Sequence, residues 1–128
     1  MSAQLENRTR TFALDVVCFC SSLPRLPELS HIRNQLMRSG TSVAANYRAA
    51  FHGKSRADFI AKLGTVEEEA DECLFWLELI QALSVRRSLG YDEQGAKELI
   101  RLAGEARELL AITIASRKTA RANAQKPT

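Results

Sequence analysis

The sequence predicts an all-α fold: a single-domain, antiparallel, up-down-up-down four-helix bundle. Three observations predict it. Apolar residues recur at three- and four-residue spacing in four separate stretches, and nowhere with the period of two that a half-buried strand requires. The breaks between stretches, SLPRLP, HGKS and LGYD, are rich in residues that stop or start helices. They are also short, and short connections make consecutive helices antiparallel neighbours.

The first helix is expected from about Leu5 to Ser22, where Phe12, Val16, Phe19 and Leu23 form the stripe with Ala13 and Cys20 beside them. Leu14, Val17 and Cys18 lie off that stripe, so this helix carries apolar surface on more than one side. Pro24 and Pro27 end it and open the second, about Glu28 to Phe51. There Ile32, Leu36, Val43 and Tyr47 share a face with Ser39, Gly40 and Ala50. Such low bulk predicts a close helix approach, which offsets the cost of Gly40, about 1 kcal/mol against Ala. Gly53 is expected to cap the second helix with a positive φ. Ser55 and Asp58 resemble a capping box for the third.

In the third helix Phe59, Leu63, Val66, Ala70, Cys73, Leu77 and Ile80 alternate four-three, a heptad seam. From Cys73 to Leu83 the run CLFWLELIQAL is apolar on every side. Phe75 and Leu79 project opposite the seam and Trp76 lies between; in a monomer that side would face water. Phe75, Trp76 and Leu79 are therefore the candidate oligomer interface. Gly90 is expected to end this helix and Asp92 to cap the fourth, whose seam is Leu99, Leu102, Ala106, Leu109 and Thr113. The pattern stops beyond Arg117. Residues 1–118 read as the bundle and 119–128 as a disordered basic tail.

Composition narrows the function classes. Length allows one domain with a real core. No run of eighteen apolar residues occurs, and MSAQLENRTR lacks the form of a secretory signal, so a cytoplasmic protein is expected. Three cysteines without metal-ligand spacing read as reduced, buried thiols. Glu28-Leu29-Ser30-His31 is the lone Glu-x-x-His, at a helix start, so neither a metal nor any other cofactor is expected. Ser39, Thr41, Ser42 and Cys73 have no histidine at helix-neighbour spacing to activate them, and GKS lacks the glycines of a phosphate loop. No catalytic residue and no small-molecule substrate are expected.

Charge is more informative. Net charge is +3, but residues 24–62 carry seven bases against two acids, and residues 67–78 carry six acids and no base. The last twelve residues carry four bases and no acid. Arg33, Arg48, Lys54, Arg56, Arg117, Lys118 and Arg121 are the candidate contacts for RNA or DNA phosphate. The competing reading is that these bases serve solubility and pair with the acidic third helix.

The words RSGTSVAANYRAA (Arg38–Ala50), KSRADFIAKL (Lys54–Leu63) and EEEADECLFWLEL (Glu67–Leu79) resemble, in that order, the four-helix-bundle family encoded in intervening sequences of bacterial large-subunit ribosomal RNA genes, also labelled ribosomal-protein-like. The resemblance covers about Phe12 to Ala115. It implies a cytosolic bundle that assembles as a ring-like homopentamer and carries no established catalytic residues. A more distant resemblance is to the accessory variability protein of diversity-generating retroelements, a strongly basic pentamer that binds nucleic acid and a reverse transcriptase. This chain is only mildly basic, carries the acidic block Glu67–Glu72, and has Ala49 where some branches place an acid. The expected function is thus a non-enzymatic homopentameric scaffold associated with RNA or DNA through basic patches. The alternative is a protein-protein adaptor with no nucleic-acid role.

Overall fold

A computed structural model describes residues 2–125 of the chain. Four helices follow one another: α1 (Ser2–Ser22), α2 (Pro27–Phe51), α3 (Arg56–Arg86) and α4 (Glu93–Ala124). No strand occurs among the described residues. Each helix packs along its chain neighbours, and α1 closes on α4 by a lighter contact.

The expected seams form the core. Leu63, Val66, Ala70, Cys73, Leu77 and Ile80 of α3 are buried, as are Leu99, Leu102, Ala106, Leu109 and Thr113 of α4. Phe59, the first position of the α3 seam, is only half-buried. Val16 of α1 drops onto Gly40 of α2: a Cβ on Gly40 would stand 2.7 Å from Val16 Cγ1, so glycine is what permits this crossing. Ion pairs lace the outside. Arg8 grips Glu105 through two bonds of 2.7 and 2.8 Å and so joins α1 to α4. Arg38 bonds Glu69 and Glu72 across α2 and α3. Glu78–Arg107 and Glu67–Arg117 mark the antiparallel register of α3 on α4.

The caps divide between confirmation and correction. Asp58 N donates to Ser55 Oγ at 3.1 Å and Gly95 N to Asp92 Oδ1 at 2.9 Å, as expected. The box at Ser55 is not reciprocal, because Asp58 Oδ2 accepts from Lys54 N instead. Gly53 does not take a positive φ. The chain leaves α2 through His52 with φ −104°, and Gly53 N donates to Ala50 O. Gly90 alone among the described residues has φ in the left-handed region, at 83°, and it lies in the loop after α3, which already ends at Arg86. The largest correction concerns the C-terminus. α4 runs to Ala124 rather than ending at Arg117, so the disordered tail expected from 119 is helix over 119–124. Arg117 pairs with Glu67 and lies over Gly64, which holds α4 against α3 at that turn; beyond it the helix continues with its residues exposed except Ala120. Residues 126–128, including Lys126, fall outside the described residues.

Candidate functional site

Antiparallel packing puts the start of α1, the end of α2, the start of α3 and the end of α4 at one end of the bundle. Five of the expected phosphate contacts gather there. Arg48, on the last turn of α2, Lys54 and Arg56, at the turn into α3, and Lys118 and Arg121, on the last turns of α4, are all exposed. None of the five makes a salt bridge among the described residues. Folding adds a sixth cation: Arg10 of α1 lines a cleft with Arg48, Ala44 and Ala45 of α2, in which Glu6 of α1 also stands without a salt bridge to either arginine. Nothing in the local sequence marks Arg10; its nearness to Arg48 arises from the α1–α2 crossing.

Two expected contacts are spent on the fold. Arg33 is buried, 7 % exposed, and points back at α1 rather than outward. Its guanidinium donates to Cys20 O at 3.1 Å, Leu23 O at 3.2 Å and Pro24 O at 2.6 Å. The last carbonyls of a helix have no intrahelical partner, and a planar fork of donors meets several at once. Arg33 is therefore the C-terminal cap of α1, not a phosphate ligand. Arg117 is half-buried, paired with Glu67 at 3.5 Å, its guanidinium stacked where a side chain on Gly64 would be. Removing residues from 117 onward would thus strip structure from the bundle.

The same end carries a groove of about 630 Å³ between α4 and the ends of the other three helices. Its floor includes Leu5, Tyr47, Phe51, Phe59 and Leu63, and its α4 wall Ser116, Thr119 and Asn123. Phe51 stands edge-on between Tyr47 and Phe59, with ring centroids 5.0 and 5.5 Å apart, and remains 40 % exposed. Burial, with Glu6 adding to it, pushes the Tyr47 phenol up to about 12, so it stays neutral.

The expected interface residues divide. Phe75 is 54 % and Leu79 37 % exposed on the outer face of α3. Trp76 is half-buried, leaning toward α2, its ring meeting His31 edge-on at 5.6 Å and Phe75 at 4.9 Å. The exposed apolar surface also extends further than the sequence alone indicated. Val85 of α3 and Ile100 and Ile114 of α4 are exposed, and the α3–α4 register brings Val85 level with Ile100. Leu14 of α1, 58 % exposed beside exposed Cys18, forms a separate small patch. Cys18 thereby departs from the expectation of three buried thiols; Cys20 and Cys73 meet it.

The residues weighed for chemistry have structural partners. Ser39 Oγ donates to Leu36 O, Thr41 Oγ1 to Met37 O, and Asn46 Nδ2 to Ser42 O and Oγ. Desolvation pushes the Cys73 thiol up to about 12, away from the thiolate a nucleophile needs. Glu28 pairs with Arg87 rather than with His31. No group of three metal-capable side chains occurs, and no helix is long and apolar enough to cross a membrane, among the described residues.

Comparison with known proteins agrees with this architecture. A family model described as 23S rRNA-intervening sequence protein matches residues 2–112. A crystal structure of a protein of unknown function from the S23 ribosomal protein family of Bacteroides thetaiotaomicron is similar over 88 % of this chain and 97 % of its own, with 28 % identity and a TM-score of 0.75. No curated protein matches.

Proposed function

The chain belongs to the 23S rRNA-intervening sequence protein family, and from that membership we propose a non-enzymatic homopentameric scaffold that binds RNA or DNA through the basic end of its bundle. One observation carries the nucleic-acid part: Arg10, Arg48, Lys54, Arg56, Lys118 and Arg121 gather at one end without an acid partner among the described residues. The opposite end carries fewer such cations, Arg25 and Arg86, and its other charges are paired, Arg87 on Glu28 and Arg101 on Asp15 and Glu98. Cations outside a salt bridge outnumber the acids near them, Glu6, Asp58 and Glu67, and a ring repeats the patch on every protomer. The α3–α4 apolar face supports assembly. A cyclic assembly joins two different patches on each protomer. Phe75 with Leu79 is one, and Leu14 on α1 is the candidate for the other.

Two measurements test this reading. Light scattering should give a mass near five chains, and Phe75→Glu or Leu79→Glu should reduce it, because burying an unpaired charge costs several kcal/mol. A wild-type monomer at micromolar concentration defeats the assembly. Polarisation of labelled RNA and DNA should show binding that falls steeply with salt and is weakened by Arg48→Ala with Lys54→Ala. Absence of binding at low salt defeats the nucleic-acid reading. The adaptor role then takes its place, with the exposed α3–α4 face as its docking surface.

A further inference from the structure

Resting on the nucleic-acid reading, we propose that the bundle-end groove takes an unpaired nucleobase, so that the protein prefers single-stranded segments to duplex. Phe51 is left 40 % exposed, held edge-on by Tyr47 and Phe59, over a groove of about 630 Å³. That volume lies within the range of small-ligand sites.

The walls differ in chemistry. The floor is aromatic and aliphatic, whereas α4 presents two hydroxyls and an amide from Ser116, Thr119 and Asn123, set among Ala115 and Ala120. An aliphatic chain would leave those polar groups without use. A base offers a π-face to the aromatic floor and hydrogen-bonding edges to the polar wall.

Charge selects the same occupant. Arg48 lies one turn before Phe51, Lys54 sits in the turn after it and Arg56 opens α3, all three exposed and outside any salt bridge among the described residues, against two acids nearby, Glu6 and Asp58. A base in the groove therefore places its flanking phosphates among cations. Duplex satisfies the cations but has no base free to enter.

The experiment uses the full chain with three fluorescent probes: a single-stranded RNA, the duplex of the same length, and the single strand carrying one 2-aminopurine. Wild type should bind the single strand more tightly than the duplex and change the 2-aminopurine emission. Phe51→Leu should weaken single-strand binding by roughly 5- to 50-fold, since stacking on an aromatic ring is what is lost. Duplex affinity should stay unchanged. Asn123→Ala, an exposed position that leaves the core untouched, should weaken the same preference in a smaller degree. Equal affinity for both forms, an unaltered 2-aminopurine signal, or indifference to both variants overturns the groove proposal while the basic-end reading stands. An apolar side chain of a protein partner in the groove would give that result. Failure to bind either form at low salt overturns both.

Discussion

Replacing Arg33 separates a structural from a surface role for the same charge. Its guanidinium reaches three carbonyls at the end of α1. Hydrogen bonds to a charged group are worth about 1.5–3 kcal/mol each, but the three do not add in full. Freeing the guanidinium from burial returns part of its desolvation cost. Cys20 O keeps a second bond, from Leu23 N at 3.3 Å. Pro24 O, part-buried, can turn to water. Leu23 O, bonded to Arg33 out of water, is the carbonyl left stranded, at about 1–3 kcal/mol. With the partial losses at its neighbours, Arg33→Met should destabilise by about 2–4 kcal/mol. Arg33→Lys should fall between, because an ammonium cannot span three acceptors. Urea unfolding followed by circular dichroism measures this, at one fixed protein concentration because assembly makes the midpoint concentration-dependent. A loss under about 0.5 kcal/mol for Arg33→Met, the level of an ordinary surface change, would refute the capping argument. So would a selective loss of oligonucleotide binding at unchanged stability.

Leu77, fully buried in the C-terminal half of the α3 seam, should cost about 2–5 kcal/mol when replaced by Ala, read from the same urea curves. A thiol reagent should titrate one cysteine per native chain, Cys18, and three after denaturation, since Cys20 and Cys73 are buried. Desolvation pushes the Cys20 thiol up to about 11 and the Cys73 thiol up to about 12. Both are raised above their unfolded value near 9, so their contribution is complete below that pH and is lost as pH rises toward 11–12. Alkaline melts should show that decline, and Cys73→Ala should flatten it in the upper part of the window.

The seams, the bundle and the helix starts at Ser55 and Asp92 are readable from the sequence because each depends on local spacing: which residues share a face, and which side chain reaches an amide three positions on. The outward position of Phe75 and Leu79 follows from the same periodicity. Tertiary structure decides what depends on the neighbour across the gap. Arg33 and Arg48 look alike along α2, fifteen positions apart on one flank; only the arrival of the α1 terminus over the first makes it a cap and leaves the other in solvent. Arg117 reads as the start of a loose tail until Gly64 and Glu67 receive it and α4 continues to Ala124. The groove beside Phe51 belongs to no single segment, since four helix ends supply its walls. Periodicity assigns a residue to a face, but the partner that face meets is fixed by contacts distant in sequence.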